Sequence, residues 1–397
     1  MSWEKTTVGE IVTTRKGYAF KSSKYVNKGV PVVRVSDYTM DSISDADLKY
    51  YPYDEKQNYI DYELHEKDVI VQTVGSWQNN PASVVGKVVR VPYFLEGALL
   101  NQNAVKIMPD EGIDNNFLFY RLKTEEFKGH VLGEARGAAN QASITLDTIK
   151  SFGFLIPDCL TQKKIGNILS KYDELIENNR KQIKLLEETA QRLYKEWFVD
   201  LRFPGYEDVE IVDGVPEGWK EEKLIDIANV QYGFAFDSSL FNSQGKGKQI
   251  IRIRNIPSGI TDDYTTQEAD EQYIVSNGDI VVGMDGEFHI NSWCGKTAYL
   301  VQRTCKFIPK KELMRGWLLQ AIYGPIKYFE KTVVGATVAH LGKKHIDTIE
   351  LLTGPDELYI PFKTLFDKRQ LLLNQNILLS EARDRLLPKL MSGEIEV

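Results

Sequence analysis

Few stretches of this chain have residue types and spacing that could do chemistry on their own, and each lacks a part. Cys294-Gly295-Lys296-Thr297 ends like a phosphate-binding loop, but Ile290 stands where such a loop needs its leading glycine, so the backbone nest cannot form. Asn80-Pro81-Ala82-Ser83 matches part of an Asn-Pro-Pro-aromatic pattern, without the second proline or the aromatic that would stack an extruded base. His340 and His345 stand five apart without the glutamate and third ligand of a zinc site. Cys159, Cys294 and Cys305 have no CxxC spacing, and three thiols cannot all pair within one chain, which reads as reduced, buried thiols in a cytosol. No carboxylate–lysine set of a nuclease core stands out. No catalytic residue and no metal ligand is therefore assigned, and the chain reads as a non-enzyme.

Bulk properties narrow the class further. At 397 residues, 42% hydrophobic and 26% charged, the chain has room for two or three domains with ordinary cores. No apolar run approaches the roughly 18 residues a membrane helix needs, and MSWEKTTVGE carries no signal-peptide core, so the expectation is a cytoplasmic protein without a membrane partner. A net charge of −7 argues against indiscriminate polyanion binding, though not against a surface built from local basic loops.

The elements that must position any functional loop are clearer. Ile165, Leu169, Tyr172, Ile176, Asn179, Ile183, Leu186, Ala190, Leu193 and Trp197 follow one another in steps of four and three, the seam of a heptad repeat. A helix of about 38 residues at 1.5 Å rise spans roughly 57 Å and needs a partner for its stripe. Leu365, Leu372, Asn376, Leu379, Leu386 and Leu390 supply one near the other end of the chain. Between the seams the chain runs twice through one plan. Lys16-Gly17-Tyr18-Ala19-Phe20 answers Tyr232-Gly233-Phe234-Ala235-Phe236; Pro31–Val35 answers Gln249–Ile253; Lys67–Val71 answers Gly278–Val282; Gly86-Lys87 answers Gly295-Lys296; Asp147-Thr148-Ile149 answers Asp347-Thr348-Ile349. So many matches in unchanged order establish a repeat. The segments between are short and rich in Val, Ile, Tyr and Phe, with helices expected over 116–128 and 312–329. The expected fold is α+β: two β-rich domains related by pseudo-two-fold symmetry, 1–160 and 218–358, joined by two long antiparallel coiled-coil helices in 161–203 and 359–397, with 204–217 as linker.

The Gly-aromatic strings, the helix exit Glu196-Trp197-Phe198-Val199-Asp200-Leu201-Arg202-Phe203-Pro204-Gly205-Tyr206 and the closing Arg385-Leu386-Leu387-Pro388-Lys389-Leu390-Met391-Ser392-Gly393-Glu394-Ile395 resemble the specificity subunit of type I restriction–modification enzymes, end to end and in family order. The resemblance implies a non-catalytic subunit with two target-recognition domains, each reading one half of a split, asymmetric DNA site. It implies helices that measure the unread spacer and dock two adenine-N6 methyltransferase subunits, with motor-endonuclease (restriction) subunits joining the assembly. S-adenosylmethionine, ATP and Mg are then expected on those partners and on none of this chain's residues.

For reading double-stranded DNA the candidates are polar loop residues, since guanidinium donors suit guanine and amides suit adenine. In the first copy these are Ser76, Trp77, Gln78 and Asn79, with Arg136, Asn140 and Gln141; in the second, Asp285, Glu287, His289 and Asn291, with Thr337 and His340. Asp285 and Glu287 would repel phosphate but could accept from cytosine. Lys16, Lys21, Arg34, Lys246, Lys248, Arg252, Arg254 and Lys343 are candidates for phosphate neutralisation, a solvated basic face being the plainer reading. The paired Gly-aromatic strings read as core packing rather than stacking equipment, and Asn179 and Asn376 either as buried amides that set helix register or, equally, as solvent-exposed positions at the seam's edge. A different class of function, a scaffold whose two heads grip two copies of a partner protein, predicts no preference for duplex DNA.

Overall fold

The computed structural model describes residues 3–39, 42–77, 84–138, 141–332 and 339–397. It divides into two compact units, the first made of Met1–Asp173 with Glu381–Val397, the second of Glu174–Ser380. Each is an α+β unit, and their four-stranded sheets repeat one another strand for strand.

In the first unit a four-stranded antiparallel sheet runs Val12–Lys16, Ala104–Pro109, Val69–Gln72, Val88–Arg90; in the second it runs Ala228–Tyr232, Thr304–Pro309, Ile280–Gly283, Ile290–Ser292. The registers agree residue by residue: Lys16 faces Val105 as Tyr232 faces Cys305, and Ile70 faces Lys106 as Val281 faces Lys306. A parallel pair follows in both, Val33 beside Leu100 and Ile251 beside Leu300. The central strands are buried on both faces: Val69 and Val71 enter one core and Ile70 another, as Ile280 and Val282 enter one and Val281 another.

The repeated glycines are explained by close approach. A Cβ on Gly17 would lie 1.9 Å from the Asn101 carbonyl oxygen, and one on Gly233 would lie 2.0 Å from that of Val301. Only glycine lets the next amide reach the neighbouring strand, Tyr18 N–H to Leu100 O at 3.0 Å and Phe234 N–H to Leu300 O at 2.9 Å. The aromatics that follow are packed: Phe20 against Tyr51 and Tyr59, Phe236 against Tyr299.

One expected match is corrected. Gly86 leads into Val88–Arg90, which pairs with Val69–Gln72, whereas Gly295 leads into Ala298–Leu300, which runs parallel to Lys248–Ile251. The counterpart of the second is Gly97 before Leu99–Leu100. A Gly-Lys dipeptide was too weak a landmark to fix the register of the alignment. The two expected helices are also broken: 115–134 forms Asn115–Leu122 and Glu125–Glu134, the second capped by Thr124, and the other forms Arg315–Ala321 and Tyr323–Thr332. The linker holds a small hairpin, Ile211–Val212 with Val215–Pro216, turned by Asp213 and Gly214 at φ 51° and 82°. Cys294 and Cys305 are buried free thiols, but Cys159 is only partly buried.

The first long helix runs Cys159–Tyr194 and the second Ile360–Met391. In the first unit Ile165 and Leu169 bury into the core together with Leu390 and Met391. In the second, Ile176, Asn179, Ile183 and Leu372 are buried, while Leu186, Leu193, Leu365, Asn376 and Leu379 are half-buried along the seam; Tyr172 and Leu386 of the first unit are half-buried too. Asn179 Nδ2 donates to Asn376 Oδ1 at 3.0 Å and Arg369 Nε to Glu187 Oε1 at 2.7 Å, so eight residues forward on one helix is seven back on the other. The helices are antiparallel there. At the exit of the first, a π-helical turn over Lys195–Val199 adds a residue to the winding. It places Phe198 in the core at 6% exposure and leaves Trp197, expected on the seam, half-buried against Phe362. Among the described residues, no helix is long and apolar enough to cross a membrane.

Candidate functional site

Each unit joins its two candidate polar loops by the same backbone pairing. In the first, the chain leaving Val69–Gln72 continues into Val74–Gly75, which pairs with Gln141–Ser143, and that strand pairs with Arg136–Ala138. Ser143 faces Val74, and Ile144 N–H donates to Thr73 O at 2.9 Å. In the second, His340 faces Asp285, and Leu341 N–H donates to Met284 O at 2.7 Å. Sequence separation alone gave no hint that residues near 75 and 140, or near 285 and 340, would meet.

Below this pairing each sheet buries a lysine at its centre. Lys106 Nζ donates to Glu63 O at 2.8 Å and to Asp68 Oδ2 at 3.1 Å; Lys306 Nζ donates to Ile274 O at 2.5 Å, with Asp279 Oδ2 at 3.8 Å. The same aspartates accept a local amide, His65 N–H and Ser276 N–H respectively. These pairs tie the strand before each polar loop to its neighbour. Beside them a third turn closes in. Asn103 at φ 71° and Arg303 at φ 67° occupy equal places, their carbonyls accepting from Thr73 N–H at 2.7 Å and Met284 N–H at 2.8 Å.

The candidate readers fare differently. Arg136 and Gln141 are exposed beside each other's strands; Trp77 is half-buried against the core of its unit, and Ser76 forms a parallel bridge with Val84. Glu287 is exposed, and His289 is half-buried with Nδ1 3.5 Å from Glu287 Oε1. Asn291 is taken up internally: Nδ2 donates to Ile256 O and Pro257 O at 3.0 Å each, and Oδ1 accepts from Arg369 Nη2 at 2.9 Å. Arg369 also donates to Ser292 Oγ at 2.6 Å, so this strand end is an anchor to the helices of its own unit. Asp285 is clamped as well, Oδ2 by Arg303 Nη1 at 2.7 Å and Oδ1 by His340 Nδ1 at 2.5 Å. Each Asp285 oxygen thus already has one partner within its own unit. Gln78, Asn79, Asn140 and Thr337 lie outside the described residues.

The basic candidates divide in the same way. Arg34 is held by Asp37 at 2.6 Å and Asp47 at 3.4 Å, and the hydrogen bond to Asp37 raises its guanidinium above the ordinary value. Arg254 pairs with Asp263 at 2.5 Å, and Lys248 lies 4.7 Å from the Tyr299 ring centroid. Lys16, Lys21, Lys246, Arg252 and Lys343 are exposed. Near Lys343, burial depresses the His345 imidazole, with Lys344 and His340 adding to the effect. Arg303 was missed by sequence reasoning. Its signal was there, in the shared spacing of Gln102 and Lys106 against Gln302 and Lys306. Among the described residues no three His, Cys, Asp or Glu side chains gather as a metal site.

The family model described as the type I restriction modification DNA specificity domain matches residues 1–188 and 216–357. The specificity subunit of the type I restriction enzyme MjaIX of Methanocaldococcus jannaschii is 27% identical over 318 residues, covering 75% of this chain and 73% of that protein. The HindI specificity subunit of Haemophilus influenzae is 26% identical over 377 residues, covering 75% and 80%. Among solved structures, the S subunit of a type I restriction–modification system from M. genitalium shares the fold, with a TM-score of 0.58 over 98% of this chain and 96% of that one at 16% identity.

Proposed function

The chain belongs to the type I restriction modification DNA specificity domain family, and on that premise we propose that its two domains each read one half of a split, asymmetric site in double-stranded DNA. It is the non-catalytic, DNA-recognising subunit of such a system. The observation that supports the split reading is the repeated pairing of Val74 with Ser143 and of Asp285 with His340, which assembles a polar edge from distant loops at the same place in both units while the side chains there differ. One scaffold with two sets of side chains suits a ligand that is chemically alike at both ends and different in sequence. The helices set the number of unread base pairs between the half-sites and carry two adenine-N6 methyltransferase subunits, joined by restriction subunits when the DNA is cut. S-adenosylmethionine, ATP and Mg belong to those partners.

The test is an exchange. Residues 1–160 are replaced by the same domain from another family member, and methylated adenines are mapped by single-molecule sequencing in a host carrying the subunit with its methyltransferase. One half of the recognised site should change and the other stay. A change in both halves, or in neither, overturns the reading, and a complex without any duplex preference points to the protein-gripping scaffold instead.

A further inference from the structure

We infer that Arg303 is a specificity-determining residue of the second domain that reads a guanine in its half-site, with Asp285 as its positioning residue; the inference rests on the split-site reading above. Three observations carry it. The Arg303 backbone is fixed at φ 67°, its carbonyl bound by the Met284 amide, so the side chain starts from a rigid turn. Its Nη1 donates to Asp285 Oδ2 at 2.7 Å, and Asp285, only 15% exposed, is held from its other oxygen by His340. The guanidinium nevertheless remains 67% exposed, and among the described residues nothing occupies its Nε and Nη2.

A surface ion pair made only for stability would be a weak reason for such a structure, since exposed pairs contribute little to folding. A guanidinium buttressed on one nitrogen and open along the Nε–Nη2 edge is instead a two-pronged donor whose orientation entropy has already been lost. That edge matches the paired acceptors O6 and N7 that guanine alone presents in the major groove. The first domain supports the assignment by its difference. The same turn there carries Asn103 at φ 71°, with Val74 and Ser143 in the places of Asp285 and His340. Among the described residues the charged buttress stands at this place in the second domain and not in the first, as expected of a position that distinguishes two half-sites.

Substitution must respect the turn, because most residues resist a positive φ. Asn tolerates it and already occupies the equivalent place, so R303N is the variant of choice. The full subunit is assembled with its methyltransferase partner, and methylation rates are compared on duplexes carrying each base pair at every position of the second domain's half-site. R303N should lose discrimination at one G·C pair by about 5- to 100-fold, leaving the other half-site unchanged. Asp285→Asn should weaken discrimination at that same pair to a smaller degree. An unchanged pattern in R303N, or a loss spread over many positions, overturns the inference. Failure of the premise looks different: the unaltered complex would then show no split site at all. A thermal melt of each variant separates misfolding from misreading, and R303K, which keeps charge but not the fork, should behave like R303N if geometry decides.

Discussion

At the scale of single residues, the two strand lysines show how little of a functional scaffold its charges reveal. Lys106 and Lys306 look like surface residues in sequence, yet each is buried in a four-stranded sheet against an aspartate. The Lys106 side chain is 11% exposed and Asp68 21%, so removing one partner strands a charge with little water. K106M should therefore destabilise the protein by roughly 3–5 kcal/mol, and adding D68N should restore a large part of that. Urea unfolding of the single and double variants measures both. Breaking the exposed pair of Lys24 with Glu55 should cost far less. A pH effect belongs here too. The hydrogen bond from Arg315 lowers the Glu312 carboxyl below its ordinary value of 4.5. A depressed carboxyl adds stability above the unfolded value, and that stability is lost as pH falls through the folded one. The melting temperatures of the natural protein and E312Q should thus converge as pH is lowered from about 7 to about 3. A gap that widens on acidification would show that another group dominates.

At the scale of elements, the long helices were the legible part and the pairing of the candidate loops was not. Heptad spacing is local and periodic, so Ile165, Leu169, Ile176 and Ile183 reveal their burial from sequence. The exit at Trp197 defied the pattern because a π turn is a packing choice, set by the aromatic core around Phe198 and Trp219. The meeting of Asp285 with His340, or of Val74 with Ser143, is long-range and leaves no periodic trace. Asn291 looked like a reader because amides in loops usually are free; only the fold shows it spent on Ile256, Pro257 and Arg369. The amide pair in the seam makes the element-scale prediction. Asn179 is 6% exposed and bonds Asn376, so N179L alone leaves an amide facing an apolar neighbour and should cost about 1–3 kcal/mol. N179L with N376L replaces both partners and should recover that loss or exceed it, at the expense of a fixed register. A thermal double-variant cycle tests it; purely additive losses would mean the amides do not interact.

At the scale of the whole molecule, charge decides how the protein can hold DNA. The net charge is −7, and the ion pairs of Arg34 and Arg254 remove two of the eight candidate phosphate contacts. Lys248 over the Tyr299 ring removes a third, leaving Lys16, Lys21, Lys246, Arg252 and Lys343 exposed. Each phosphate neutralised contributes about −0.9 to the slope of log affinity against log salt, so the isolated chain should show a slope no steeper than about −4.5. Such a slope leaves modest affinity at physiological salt; if the methyltransferase subunits of the proposed assembly add phosphate contacts, the complex should bind more tightly and with a steeper slope. Fluorescence anisotropy of a labelled duplex between about 50 and 200 mM salt, with and without the partner, measures both slopes. If the isolated chain alone gave a slope near −8, a larger basic surface than these five residues would be at work. If the partner left the slope unchanged, the phosphates would be held by this chain alone, and closure of the methyltransferase around the duplex would have no part in its affinity.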